Sequence, residues 1–358
     1  MSQDEQSVMI DQERPGHAWF KILTSIIVVG ILVIIIWFSR GIVATSQPQT
    51  ILLYCFTGMQ DVMEHGIFPA FRDYWDDQNG IEVEFIPTFA GSGSIVDKVI
   101  ARVSADLVVL SSGMDAHRLA TKGLTTVAGW KQLPNMGICC RTPLTLLARD
   151  GDPANIGGFK DLGRSGLDVI IANPRTSGIG EWSILAIYGS ALRSGYDESG
   201  ALTLLSDIWQ NVTSPPPSAQ AVLRRFAEDG GHAILTYEAN VLPTPRRQLL
   251  QGRIVPVQST VLCEPIVVVL EQNIAEDHRE LVHAFAQFLW SEKAQGIFVE
   301  YGFHALSDSL NRTRSDFPQY ESLFTVDSLG GARTCQQAII GQFLAGSPAF
   351  TPHPQETP

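Results

Sequence analysis

The sequence predicts an α/β fold built from two lobes. Its 358 residues exceed one ordinary domain and suit two lobes of roughly 100–150 residues each. Apolar residues make up 45% of the chain and charged residues 17%, a composition that supplies a hydrophobic core. Short apolar strands also alternate with amphipathic helices, an order typical of a parallel sheet covered on both faces.

Each predicted strand rests on period-two alternation or a short apolar run, and each helix on a spacing near 3.6 residues. A βαβαβ unit starts near Thr50, a second unit starts near Leu144, and two helices close the chain. The predicted strands are 51–56, 81–85, 105–110, 144–149, 167–172, 233–237 and 265–270. The predicted helices are 62–75, 91–103, 180–192, 219–227, 277–289 and 292–301.

These units give the predicted lobe boundaries. Residues 50–136 and 264–346 form the first lobe, and residues 137–263 form the second. The chain should cross between the lobes near 134–142 and 260–265. Residues 347–358 carry four prolines and are predicted to be a disordered tail.

An uncharged run, Ile22–Phe38, predicts a membrane segment near the amino end. Trp19 and Phe20 precede it and Trp37 and Phe38 end it, as membrane interfaces favour. The sequence after Gly41 has no good A-x-A cleavage site, so an uncleaved anchor is favoured over a signal peptide. The expected topology is a cytoplasmic tail at 1–21, a single-pass anchor at 22–38 in the inner membrane and a linker at 39–49. The body should then lie in the periplasm or outside the cell.

The net charge of −12 restricts the partners of the chain. An acidic surface repels nucleic acid, and no basic stripe with interleaved aromatic residues is present. The five cysteines include the adjacent pair Cys139 and Cys140, which could form a strained disulfide or be small buried thiols. A protein of this charge cannot attract an anion by a general positive field, so it needs a local group of hydrogen-bond donors.

Two Gly/Ser turns supply such a group of donors. Gly91–Ser94 and Ser177–Gly180 each follow a predicted strand and open a predicted helix. A helix start carries unpaired N–H groups and a partial positive charge, so it binds an anion without a cationic side chain. The alternative for each turn is simple N-capping by Ser92 or Ser177.

Sequence motifs of catalysis are absent from the chain. It contains no G-x-S-x-G elbow, P-loop, complete dinucleotide fingerprint or H-E-x-x-H sequence. The chain has no C-x-x-C pair, so the sequence does not predict a zinc ribbon. The chain is therefore expected not to be an enzyme and to need no metal or cofactor.

The body resembles the bacterial sulfate- and thiosulfate-binding proteins of ABC importers. The resemblance covers roughly residues 52–350 and is collinear. It rests on five stretches: Ala90–Gly93, Ala105–Leu110, Ala172–Gly178 followed by Trp182, Glu264–Pro265, and Leu323–Asp327 followed by Gly330–Gly331.

The resemblance implies a type II periplasmic-binding-protein fold, with an anion buried between the lobes and held by backbone amides and neutral side chains. Ser92 and Ser177 match serines that donate to the anion, and Tyr237 falls where the family has a tryptophan. Backbone donors are expected on the turns and at a third helix start. The candidate ligand-binding residues are Ser92, Gly93, Ser177, Gly178, Ile179, Ala219 and Tyr237.

Four positions depart from the family pattern, and three of them make the cleft less positive. Glu181 and Gln220 replace arginines, Ser94 replaces a lysine and Ile179 replaces a glycine. Glu181 comes four residues after Ser177, and this position predicts that its carboxylate leans toward the rim of the cleft and stays solvated.

The sequence thus predicts an extracytoplasmic protein that captures an inorganic oxyanion, most readily sulfate, for an ABC importer permease. The alternative is a membrane-anchored sensing or scaffolding ectodomain that binds another small anion, such as phosphate, molybdate or an organic anion, without transport.

Overall fold

A computed structural model describes residues 25–33, 48–151, 154–228, 230–246 and 250–347. The chain divides into two units, Met1–Gln47 and Pro48–Pro358. In the first unit residues 25–33 form helix α1. No helix within the described residues is both long enough and apolar enough to span a membrane. The expected cytoplasmic tail, both ends of the expected anchor, most of the linker and nearly all of the carboxyl-terminal tail lie outside the described residues.

The second unit contains all the described strands. They are β1 Gln49–Phe56, β2 Val83–Ala90, β3 Leu107–Leu110, β4 Thr142–Arg149, β5 Val169–Ile170, β6 Ala233–Tyr237, β7 Gly252–Ile254, β8 Ser259–Cys263, β9 Ile266–Val269 and β10 Ser322–Phe324. Its α-helices are α2 Gln60–Val62, α3 Phe68–Asn79, α4 Ser92–Ile100, α5 Gly113–Thr121, α6 Val127–Lys131, α7 Gly178–Arg193, α8 Glu198–Trp209, α9 Ala219–Glu228, α10 Arg279–Phe288, α11 Glu292–Glu300, α12 Asp308–Asn311, α13 Gly331–Thr334 and α14 Gln342–Gly346. The segments Met63–Ile67 and Cys335–Gly341 are π-helical.

The strands form two sheets. In the described residues the first has the order β2-β1-β3-β9, and β1 pairs in parallel with both β2 and β3, as the βαβαβ order predicts. β9 returns from late in the chain and runs antiparallel to β3. Its first three residues are buried, in agreement with its continuous apolar sequence.

The second sheet has the order β10-β8-β4-β6-β5, with β7 also paired to β4. It is mixed: β4 runs antiparallel to β6, β7 and β8, whereas β5 pairs in parallel with β6. The chain passes from the first sheet to the second at β4 and returns to the first between β8 and β9. Later in the chain, β10 pairs with β8 and so belongs to the second sheet. One large cluster of buried apolar side chains includes residues of both sheets and their helices.

All five cysteines are free and buried, so the buried-thiol alternative describes Cys139 and Cys140.

Several elements were not predicted from the sequence. Helices α5 and α8 and strands β7, β8 and β10 are short or only partly apolar on one face, and their periodicity is correspondingly weak.

Candidate anion-binding site

The first Gly/Ser turn joins β2 to α4. Gly91 has extended backbone angles and precedes the helix, and Ser92 and Gly93 form its first turn. Both are buried, Ser92 to 1% exposure. The amide groups of a helix start have no intrahelical acceptor, so this buried turn has the electrostatic character of an anion site.

The Ser92 hydroxyl does not cap its own helix. Its oxygen accepts a hydrogen bond from the backbone N–H of Ser111 at 3.0 Å. Its proton is donated to Oδ2 of Asp115 at 2.5 Å. Because a hydroxyl has one proton to donate, this arrangement leaves Ser92 its backbone N–H as a donor for an anion.

The second Gly/Ser turn precedes α7. Asn173 organises it: its side-chain oxygen accepts from the N–H of Arg175 at 2.9 Å, and its carbonyl accepts from the N–H of Ser177 at 2.9 Å. Ser177 is the residue before the helix, is only 3% exposed, and makes no capping hydrogen bond with its side chain. The capping alternative therefore fails for both serine side chains.

The two turns touch each other and a third segment. A β-carbon added to Gly91 would overlap the carbonyl oxygen of Thr176 and lie 2.7 Å from that of Pro217. The N–H of Ser94 donates to the same Thr176 carbonyl at 3.2 Å, and the Thr176 hydroxyl donates to the Pro217 carbonyl at 3.2 Å. Since Pro217 lies two residues before the buried start of α9 at Ala219, three helix starts converge.

Gly178 continues this convergence on the α7 side. A β-carbon at this position would overlap the Ser111 hydroxyl and lie 3.3 Å from the β-carbon of Ser92. Ile179 follows and is 1% exposed. The indole N–H of Trp182, on the same helix, donates to the Ser111 carbonyl at 3.1 Å. The end of β3 and the start of α7 are therefore locked together.

Tyr237, at the end of β6, is the remaining candidate. It is 1% exposed, and its ring packs edge-on against Phe56 with 5.5 Å between centroids. Burial raises its pKa well above the usual range, with smaller contributions that include Cys263, so the phenol keeps its proton. Its buried hydroxyl makes no hydrogen bond of normal geometry among the described residues, although the nearby Ser111 side chain opposes the rise in its pKa. A buried donor without an acceptor is costly, and a bound anion would satisfy it.

A cavity of about 500 Å³ lies beside these residues. Gly58 lines it, and a β-carbon on Gly58 would meet the ring of Tyr237 at 2.8 Å. Gln220, which follows Ala219, lines it as well. The cavity therefore adjoins both the β6 end and the α9 start of the candidate site.

The prediction that Glu181 is solvated is wrong. Its side chain is buried at 5% exposure, because α7 is enclosed along its whole first three turns. Burial raises its pKa to about 8, the negative charge of Asp115 adds to the rise, and Gln336 and Arg118 oppose it.

Asp115 is a site residue that the sequence analysis missed. It is 1% exposed on the first turn of α5, accepts from the Ser92 hydroxyl, and pairs with Arg118 at 3.3 Å. Burial raises its pKa, and the Ser92 hydrogen bond and the Arg118 charge oppose that rise. Ser112 and Asp115 fit the S-x-x-D capping pattern, and that pattern would have placed Asp115 at a helix start.

The structure therefore brings most of the candidates into one region. The turns that carry Ser92, Gly93, Ser177 and Gly178 are in contact, and the start of α9 adjoins them. The convergence brings together the backbone N–H groups of the helix starts, which are donors, and the carbonyl oxygens of Thr176 and Pro217, which are acceptors. The two nearby carboxyl groups are acceptors when ionised. No cluster of three or more metal-ligating His, Cys, Asp or Glu side chains occurs within the described residues.

The chain matches the family of the bacterial extracellular solute-binding proteins over residues 51–304. It is 30% identical over 300 residues to a sulfate-binding protein of Synechococcus elongatus, covering 83% of this chain and 85% of the relative. It is 25% identical over 300 residues to a thiosulfate-binding protein of Pseudomonas aeruginosa, covering 82% of this chain and 90% of that relative.

Among solved structures, the sulfate-binding protein SubI from Mycobacterium tuberculosis matches with a TM-score of 0.72 and 24% identity. That match covers 81% of this chain and 99% of SubI. The structural likeness confirms the expected α/β fold of the periplasmic binding proteins. The sequence matches show that this chain belongs to the family of bacterial extracellular solute-binding proteins that includes the sulfate- and thiosulfate-binding proteins.

Proposed function

We propose that this chain captures sulfate outside the cytoplasm and delivers it to an ABC importer. The observation that carries the proposal is the meeting of three helix starts at Gly91, Thr176 and Pro217. A fully deprotonated anion such as sulfate needs hydrogen-bond donors on every side, and backbone N–H groups at helix starts supply them. The names of the relatives from Synechococcus elongatus and Mycobacterium tuberculosis support the same ligand.

The proposed ligand-binding groups are backbone amides and two hydroxyl-bearing residues. Ser92 contributes its backbone N–H, because its hydroxyl proton is directed at Asp115. Ser177 contributes its hydroxyl, which is not used to cap α7, and Tyr237 contributes its buried phenol. The proposed set is Ser92, Gly93, Ser177, Gly178, Ile179, Ala219 and Tyr237.

Isothermal titration of the purified full-length chain should give tighter binding of sulfate than of phosphate at pH 7. Hydrogen phosphate carries a proton that needs an acceptor, and an unpaired hydroxyl costs ~1–3 kcal/mol, which is roughly 5- to 150-fold in affinity. Ser177→Ala should weaken sulfate binding about 10- to 100-fold, because a hydrogen bond to a charged ligand contributes ~1.5–3 kcal/mol. Glu181→Gln should change it less at this pH.

Ser199→Ala, on an exposed residue of α8, is the matched control and should bind sulfate like the parent. Tighter binding of phosphate would contradict the sulfate assignment. The absence of heat with either anion would contradict the function itself.

We also propose that the two sheets belong to two lobes with the bounds expected from the sequence, 50–136 with 264–346 and 137–263. The support is that β1, β2, β3 and β9 share one sheet, whereas β4 to β8 belong to the other. Within this proposal β10 is an exchanged strand, since it lies in the sequence of the first lobe and pairs with β8. The convergence of helix starts then lies at the interface of the lobes, where closure would bury a ligand.

The uncharged run Ile22–Phe38 supports a proposed single-pass anchor in the inner membrane, with the body outside the cytoplasm. After cell fractionation, the protein should stay with the membranes in high salt and be released by detergent, with its amino terminus intact. Amino-terminal sequencing of the mature protein checks this. A terminus after Ala44 would contradict permanent anchoring and leave export standing.

A further inference from the structure

The buried carboxyl group of Glu181 lies on α7, directly after the turn that carries the proposed ligand donors. Its Oε1 accepts a hydrogen bond from the side-chain amide of Gln336 at 3.2 Å. Its Oε2 is buried and has no hydrogen-bond partner among the described residues. An ionised carboxylate with one bare oxygen in a buried site is strongly disfavoured relative to the protonated acid.

A second buried carboxyl group acts on Glu181 from α5. Asp115 is held by the Ser92 hydroxyl and by Arg118, which reaches its Oδ1 at 3.3 Å. Arg118 also pairs with Asp97 at 2.9 Å, so its one positive charge is shared between two carboxylates. One guanidinium therefore faces three carboxyl groups, Asp97, Asp115 and Glu181.

The remaining groups around Glu181 do not add positive charge. Gln336, from the π-helical segment, is neutral and opposes the rise in the pKa of Glu181 only by its hydrogen bond. Tyr237, from β6, keeps its proton because burial raises its pKa well above the usual range. The charged groups acting on Glu181 are thus Asp115, which repels a second negative charge, and the shared Arg118.

We propose that Glu181 determines which charge the site accepts, in that the closed cleft holds a divalent anion only while the Glu181 carboxyl group is protonated. This inference rests on the proposed sulfate-binding function. An ionised Glu181 would add a negative charge beside the anion, and it would present acceptors where sulfate needs donors. A protonated Glu181 removes the charge and offers one O–H donor in place of a bare acceptor.

The protonation state of Glu181 sets the direction in which sulfate affinity depends on pH. Burial raises the pKa of Glu181 to about 8, so the group is mostly protonated below pH 7 and mostly ionised above pH 9. A bound dianion raises that pKa further, because it disfavours the ionised form. Sulfate affinity should therefore be constant below about pH 7 and should fall toward tenfold per pH unit above about pH 8.

The test is titration of the full-length chain with sodium sulfate from pH 6 to pH 9.5. At pH 9 it should be repeated in buffers of different ionisation enthalpy, which count the protons taken up. The parent should lose affinity at high pH and take up close to one proton per sulfate at pH 9. Glu181→Gln, a neutral side chain of the same shape, should bind sulfate with no such loss and no linked proton.

The matched control is Glu198→Gln, on an exposed glutamate in the first turn of α8, which should keep the pH profile of the parent. Thermal unfolding at each pH checks that every variant stays folded. A parent affinity that is constant to pH 9.5, or a Glu181→Gln profile that falls like that of the parent, would overturn the inference and leave the sulfate function standing. A failure of both proteins to bind sulfate at any pH would overturn the two together.

Discussion

Replacing Gly91 with alanine is expected to weaken sulfate binding roughly 100-fold or more. The backbone angles of Gly91 are ordinary, so the variant carries no intrinsic backbone strain. Its added methyl group would overlap the Thr176 carbonyl oxygen and lie 2.7 Å from the Pro217 carbonyl oxygen. Both obstacles are backbone atoms that cannot rotate away, so the three helix starts would have to separate.

Because the clash is at a contact between segments, the variant can relieve it by opening the interface instead of unfolding. Circular dichroism should show a folded protein, while isothermal titration shows the lost affinity. Gly296→Ala is the matched control, since a β-carbon there meets nothing within 4 Å. Parent-like sulfate affinity in Gly91→Ala would show that closure of these three segments is not needed for binding.

Replacing Glu238 with alanine is expected to lower the free energy of unfolding by ~3–5 kcal/mol. The Glu238 side chain is fully buried, accepts from the hydroxyl of Tyr320 at 2.6 Å, and lies 2.8 Å from Nε2 of His304. His304 also pairs with the backbone of Arg141 at the start of the passage into β4. Alanine would remove the buried acceptor that Tyr320 and His304 share between segments distant in sequence.

Urea unfolding monitored by tryptophan fluorescence measures this loss. Glu228→Ala, at an exposed position at the end of α9, should change the free energy of unfolding by less than ~0.5 kcal/mol. Glu238→Gln keeps an acceptor for Tyr320, so its loss of unfolding free energy should lie between the losses of Glu228→Ala and Glu238→Ala. A loss below ~1 kcal/mol in Glu238→Ala would mean that this network does not hold the segments together.

The strands and helices with strong periodicity were predictable from the sequence. The first sheet is the clearest case: β1, β2 and β3 fall on the predicted segments and pair in parallel. The mixed pairing of the second sheet was not predicted. Strand direction and order are set by which strands meet in space, and short strands such as β7 and β10 carry too little pattern to reveal it.

Both Gly/Ser turns were found from sequence, since glycine and serine at a helix start have a direct physical meaning. The residues that surround the turns in space could not be found from the sequence. Glu181 was expected at the solvated rim, but α7 is buried from Gly178 to Ala191 and so has no solvated face in its first turns. Asp115 lies 23 residues after Ser92, and only the packing of α5 against α4 brings the two side chains within 2.5 Å.

The sequence by itself determined the α/β class, the parallel pairing in the first sheet and the two turns that can bind an anion, because these depend on local periodicity and backbone chemistry. Motifs such as Ala172–Gly178 also indicated the protein family from the sequence alone. Only the tertiary structure decided that three helix starts meet at Gly91 and that two carboxyl groups, Asp115 and Glu181, are buried beside them. The physical reason is that burial and charge–charge distance belong to residues far apart in the chain, so no local pattern encodes them.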